Sequence, residues 1–228
     1  MIATPAPDAV LFDMDGLLVD SEPVWTVAEV ELARTWGGTW TEELKAQVVG
    51  TRLQTAVPLI LTGLGHVPTP DAVAAASAQL LGRMVELFAA DVPEQPGARA
   101  LHAALRAAGV PLALVSSSYR VLVEAVLERT GLAFDLVVAG DEVEHGKPHP
   151  EPYLTACARL GADPARVVVL EDAPSGVASA EAAGCAVVAV PSVAGVAFEA
   201  APRRLVVPSL EAVGLAELGA LAAGPSPL

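Results

Sequence analysis

The sequence predicts a Rossmann-like α/β core, a doubly wound parallel sheet with helices on both faces, carrying an inserted helical cap. Two observations predict the core. Short apolar runs rich in Val and Leu recur along the chain, and runs this uniformly apolar read as strands buried on both faces. Helix-length, Ala-rich segments lie between them, which is the alternation of an α/β domain. A third observation predicts the cap: from residue 22 to about residue 92 the spacing is helical throughout, far more chain than one crossover helix needs.

The first strand is expected at residues 9–12, where Ala-Val-Leu-Phe runs into Asp13-Met14-Asp15-Gly16. Four cap helices follow at 23–36, 41–49, 52–64 and 71–90, with Gly37-Gly38 and residues 67–70 as turns. The remaining strands are expected at 111–115, 136–139, 167–170, 186–190 and 205–207. Helices fall between them at 97–108, 120–130, 150–160 and 175–183, several closed by a glycine as a C-cap. The expected division is a discontinuous core, residues 1–21 and 93–228, and a cap, residues 22–92, with hinges near Ser21 and Pro93.

The 228 residues carry 27 acidic and 13 basic side chains, a formal charge of −14, and 53% are hydrophobic. A chain of this size and apolar content builds a core without disulfides or structural metal. No cluster of Lys and Arg is present to neutralise phosphates, so nucleic acid and anionic membranes are not expected as partners. The longest charge-free stretches, 53–70 and 182–198, are broken by Pro and Gly and do not read as membrane spans. Residues 1–7 lack the basic segment and apolar run of a secretory signal. The expectation is a cytoplasmic monomer whose two cysteines, Cys157 and Cys185, are reduced core thiols.

Candidate functional residues stand at four successive strand ends, where open α/β sheets bind their ligands. Asp13 and Asp15 leave the first strand one residue apart. Buried together without a cation they would repel, and a divalent metal removes that conflict; Mg²⁺ takes oxygen ligands from one or two carboxylates plus a substrate phosphate. Ser116-Ser117-Ser118 ends the second strand just before a helix, where hydroxyls and free N–H groups form an anion site. Lys147, one of only two lysines in the chain, lies in a Gly- and Pro-bounded loop after the third strand. Glu171-Asp172 ends the fourth and completes a candidate metal site. Each signal alone also fits a capping, turn or solvated role. His145 and His149, on either side of Lys147, read as loop or capping residues.

In that order Asp13-x-Asp15, Ser116, Lys147 and Glu171-Asp172 resemble the four motifs of the haloacid dehalogenase superfamily, and the resemblance covers nearly the whole chain. The stretch from Phe12 to Pro23, FDMDGLLVDSEP, is similar to the branch of β-phosphoglucomutases and 2-deoxyglucose-6-phosphatase-type sugar phosphatases. The resemblance implies Mg²⁺-dependent hydrolysis of small phosphorylated substrates through an aspartyl phosphate. Asp13 would be the nucleophile and Asp15 the general acid and base. Ser116, the N–H groups beside Ser117, and Lys147 would hold the phosphoryl oxygens. Asp13, the Asp15 carbonyl and Asp172 would bind Mg²⁺, with Glu171 contributing directly or through water.

The resemblance also leaves a mutase as an alternative, but β-phosphoglucomutases carry a His twelve residues beyond the nucleophile, where this chain has Trp25. Asp15 argues against dehalogenase and phosphonatase chemistry. A receiver-like module that accepts phosphate on Asp as a signal has no need of a cap. Within the cap, Arg52, Glu22 and Trp25 are candidates to contact the leaving group; Arg52 reads equally as a surface helix charge, and Trp25 more readily as a helix-packing residue.

Overall fold

The computed structural model describes residues 6–192 and 196–224. Most of the first seven residues, and the middle of the 182–198 stretch, therefore lie outside the described residues. Six strands form one parallel sheet: β1 (Ala9–Phe12), β2 (Leu112–Val115), β3 (Leu136–Val138), β4 (Val167–Glu171), β5 (Ala186–Ala189) and β6 (Arg204–Val206), in the order β3-β2-β1-β4-β5-β6. β1 is central, with Val10 opposite Leu112 on one side and Val168 on the other. The order reverses at β1, which places a topological switch point at its carboxyl end.

Every residue of β1, β2, β4 and β5 is buried, which is why these segments are apolar throughout rather than alternating. The period of two is still there, sorted between the two faces. Val10, Phe12, Leu112, Leu114, Val168 and Leu170 point into one core; Ala9, Leu11, Ala113, Val115, Val167 and Val169 point into the other. The first core receives α5 (Ala98–Ala107) and α6 (Arg120–Thr130). The second receives α7 (Glu151–Leu160) and α8 (Pro174–Ala182) through Tyr153, Ala156, Val177 and Ala180. A helix the sequence reading did not anticipate, α9 (Leu215–Ala223), covers the first face with Leu218 and Ala222.

Between β1 and α5 run α1 (Glu22–Thr35), α2 (Glu42–Val48), α3 (Leu53–Gly63) and α4 (Pro70–Ala90), the inserted cap. Thr41 and Thr69 cap α2 and α4, each hydroxyl accepting a bond from the backbone N–H three residues on, at 3.3 Å. By length and mean hydropathy (1.3) α4 could cross a bilayer. Its buried residues, Ala76, Leu80, Met84 and Phe88, instead form a single stripe at four-residue spacing, and α4 packs on α1 and α6. Burial of each large side chain in that stripe contributes about 1.5–3 kcal/mol. This stripe belongs to the first core, so cap and sheet share hydrophobic contacts. The two segments joining them run side by side, with Asp20 N donating to Pro93 O (2.8 Å) and Gln95 N to Leu18 O (3.0 Å).

Cys157 and Cys185 are buried and unbonded, their sulfurs 4.0 Å apart.

Candidate active site

The chain leaves β1 in a tight turn. Leu18 and Val19 both donate backbone bonds to Met14 O, and Met14, Leu17 and Leu18 are fully buried beneath it. With the intervening Met14 anchored in the core, Asp13 and Asp15 both face the cleft. Gly16 turns at φ +85°, and a Cβ there would overlap the Asp172 carboxylate, so the β1 and β4 ends approach each other only because this residue is glycine.

Lys147 is buried and anchors the centre. Its Nζ donates to Asp13 Oδ1 (2.5 Å), Glu171 Oε1 (2.7 Å) and Val115 O (2.9 Å), so one ammonium ties together the ends of β1, β2 and β4. Tyr153, fully buried on α7, donates its hydroxyl to the same Glu171 oxygen (2.6 Å) and places its ring 5.0 Å from Nζ. Glu171 Oε2 accepts the N–H groups of Asp172 (3.0 Å) and Ala173 (3.2 Å). Both Glu171 oxygens are therefore occupied. Asp172 differs: Oδ2 accepts from Ser192 Oγ, while the buried Oδ1 has no partner.

Asp15 is held by four donors. Oδ1 accepts from Ser21 Oγ (2.7 Å) and Trp25 Nε1 (3.3 Å), and Oδ2 from Ser118 Oγ (2.8 Å) and Ser116 Oγ (3.3 Å). Ser116 also accepts the Ser118 N–H (2.9 Å), a local turn that fixes the serine run. Ser116 sits behind the wall; Ser117 and Ser118 line it.

The electrostatics call for more positive charge than the side chains provide. Burial raises the Asp13 carboxyl well above the ordinary range; Lys147 opposes this, and Glu171, Asp172 and Asp15 add to it. Burial, then Glu171, pushes Asp172 up to about 7. For Lys147, burial acts downward, but Asp13 and Glu171 more than offset it and hold the ammonium above the usual lysine value. Asp13, Glu171 and Asp172 bring carboxylate oxygens within 4.8 Å of one another. One lysine cannot neutralise three buried carboxylates. With the orphaned Asp172 oxygen, this donor set fits a hard divalent cation.

These groups open on a cavity of about 190 Å³ between the sheet edge and the cap. Glu22 and Trp25 line it, Glu22 paired to Lys45 at 2.8 Å. Arg52 does not. Its guanidinium turns to the core loop and donates to the carbonyls of Gly140, Val143 (3.3 Å) and Glu144 (3.2 Å), where several acceptors converge. His145 and His149 take local roles at the start of α7: His145 Nδ1 lies 2.9 Å from Glu151 Oε2, and His149 Nδ1 accepts the Glu151 N–H.

Sequence reasoning passed over Ser21, Ser118, Tyr153, Ser192 and Glu29. Ser118 was within the serine run, and Glu29 follows Trp25 by four residues on one helix, a spacing that puts both on one face. Tyr153 and Ser192 gave no local signal.

Buried acids and a buried ammonium converging on a capped cavity at a sheet switch point mark an enzyme's active site rather than a docking surface. The model of the haloacid dehalogenase-like hydrolases matches residues 7–184, and the chain belongs to that family. Among its relatives are the phosphorylated carbohydrates phosphatase of Thermotoga maritima, 34% identical over 78% of this chain and 82% of that protein, and hexitol phosphatase A of Escherichia coli K12, 37% identical over 79% and 81%. Both are named as phosphatases, that is, phosphoric monoester hydrolases. The structure of CbbY from Rhodobacter sphaeroides in complex with phosphate superposes with a TM-score of 0.80 at 29% identity, over 93% of this chain and 99% of that one.

Proposed function

We propose that the chain is a Mg²⁺-dependent phosphatase of small phosphomonoesters, sugar phosphates among them, acting through an aspartyl phosphate on Asp13. The observation that carries this reading is the surroundings of Asp13: Lys147 at 2.5 Å, Asp15 two residues on, and an unpartnered Asp172 oxygen, all on one cavity. In this reading residues 1–21 and 93–228 form the catalytic core, and residues 22–92 the cap that selects the leaving group.

Asp13 attacks phosphorus and forms the acyl phosphate bond as the ester P–O bond breaks. Asp15 gives its proton to the departing alkoxide, then takes one from the water that hydrolyses the intermediate, which restores Asp13 and releases phosphate. Ser117, Ser118 and Lys147 hold the phosphoryl oxygens, and Ser116 fixes the serine turn. Trp25 and Ser21 are positioning residues that aim Asp15. Asp13, the Asp15 carbonyl and Asp172 would hold the ion, while Glu171 anchors Lys147. A bound Mg²⁺ supplies charge neutralisation to the carboxylates and the phosphoryl group. A mutase is disfavoured, since Trp25 donates to Asp15 and cannot relay a proton.

Phosphate release from a panel of phosphomonoesters, with Mg²⁺ and with excess chelator, tests this. Turnover is expected only with the metal and is expected to vanish in Asp13→Asn with the fold kept. Full activity in chelator, or a tenth of wild-type rate in Asp13→Asn, would refute it.

A further inference from the structure

The cap side of the cavity is mostly apolar, with Leu53 and Ile60 from α3 and Leu80 and Leu81 from α4. One polar group faces this wall without a partner. Glu29, half-buried on α1, lines the cavity, and among the described residues no side chain gives it a hydrogen bond or an ion pair. Its neighbour Glu22 already holds Lys45, which also donates to Thr26.

Equally informative is where the cap's basic side chains lie. Lys45 is on Glu22, Arg83 is on Glu31 and Glu86, and Arg52 is on the core loop. None of these, nor Arg34, lines the cavity, and among the described residues Lys147 is its one basic lining residue. A leaving group bearing a carboxylate or a second phosphate would have to bury that charge against leucine and a carboxyl group, with no cap cation lining the cavity to compensate. An uncharged sugar or polyol meets no such penalty. It can lay C–H groups on the leucine wall and give a hydroxyl to Glu29.

We propose that Glu29 is the specificity-determining residue of the cap, hydrogen-bonding a hydroxyl of an uncharged sugar or polyol leaving group, in a pocket that rejects esters whose alcohol carries an anion. The assignment rests on the phosphatase reading above. It is reinforced by protonation: burial, then the Glu22 charge, raises Glu29 to about 8 against the opposing charge of Lys45, which favours at pH 7 a neutral acid that can donate and accept without burying charge.

The test is kcat/KM for the purified full chain with Mg²⁺ on glucose 6-phosphate, a hexitol 6-phosphate, phosphoglycolate, fructose 1,6-bisphosphate and p-nitrophenyl phosphate. The uncharged sugar and polyol esters should exceed phosphoglycolate and the bisphosphate by about ten-fold or more, as expected when a buried charge lacks a partner. Glu29→Ala should lower the ratio of hexitol phosphate to p-nitrophenyl phosphate turnover by about ten-fold, chiefly through KM, and Glu29→Gln, which keeps a hydrogen-bonding group, should restore it. Glu29→Lys should shift preference toward the anionic esters, a readout that survives should the alanine variant fold poorly. A wild-type preference for phosphoglycolate or the bisphosphate, or a Glu29→Ala loss equal on all esters, overturns the proposal. Release from none of the five, the aryl ester included, overturns the phosphatase reading beneath it.

Discussion

Replacing Lys147 with Met removes the ammonium at nearly constant side-chain length. Asp13 Oδ1 and Glu171 Oε1, now 2.5 and 2.7 Å from Nζ, are left as buried carboxylates without their cation, and Val115 O loses a donor. Removing one partner of a buried ion pair costs about 3–5 kcal/mol, because the other charge stays buried. A domain of this size loses about 2–4 °C of Tm per kcal/mol, so the variant should melt about 6–20 °C lower at pH 8. The pH dependence has a definite sign. Lys147 in the wild type is held above the ordinary lysine value, so its contribution is complete below that value and is constant between pH 5 and 9. In the variant the downward pull of Lys147 on Asp13 is gone, and the carboxyl climbs further. Folded wild type and variant both hold the Asp13 proton more tightly than the unfolded chain, the variant more so, and its deficit therefore shrinks as pH falls toward 5. Thermal unfolding at pH 5 and pH 8 reads both effects. Added Mg²⁺ should recover part of the loss at pH 8, and under the role proposed for Lys147 in holding a phosphoryl oxygen activity should fall about 10²-fold or more. A variant melting within 2 °C of wild type at pH 8, or destabilised equally at both pH values, would refute the assignment of Lys147 as the charge that holds the carboxylates together.

Tyr153→Phe removes the second donor from Glu171 Oε1 and should cost about 1.5–3 kcal/mol, read as a lower Tm. It should also reduce kcat about ten-fold with KM unmoved as Lys147 loses its fixed neighbour, and an unchanged kcat would leave Tyr153 a packing residue only. Glu29, at about 8 against an ordinary 4.5, contributes stability that is complete below pH 4.5 and lost as pH rises through 8. That is worth at most about 5 kcal/mol, and nearer 2 after solvent screening of a half-buried group. The wild-type Tm should therefore fall between pH 5 and pH 9 relative to Glu29→Gln, and parallel profiles would refute the shift.

The strand ends were legible because strands buried on both faces leave uniform apolar runs, and each run stops where the cleft begins. Phe12 gives way to Asp13, Val115 to Ser116 and Leu170 to Glu171. The family resemblance followed from that order. What stayed hidden depends on contacts between elements far apart in sequence. Arg52 reads as a cap-helix cation that could reach substrate, and only the carbonyls of Gly140, Val143 and Glu144, roughly ninety residues on, turn it to the core. Tyr153 reads as an ordinary apolar-face residue of α7 until Glu171 is placed beneath its hydroxyl. α9 was overlooked because its Leu- and Ala-rich segment holds a glycine, Gly219, which weakens the helical signal although the residue is buried.

Arg52 also limits how freely this architecture can be recombined. It belongs to the cap, yet its hydrogen bonds end on the loop that delivers Lys147, and a Cβ at Gly146 would press into its side chain. Cap and Lys147 loop are thus matched parts. A cap grafted from another enzyme brings a new wall to the cavity, but without an arginine at this point it leaves three loop carbonyls undonated on the loop that carries Lys147. Conversely, a side chain at residue 146 would press on the Arg52 side chain and disturb its bonds to the loop. Swapping caps on this core should succeed best where residues 52 and 146 travel together.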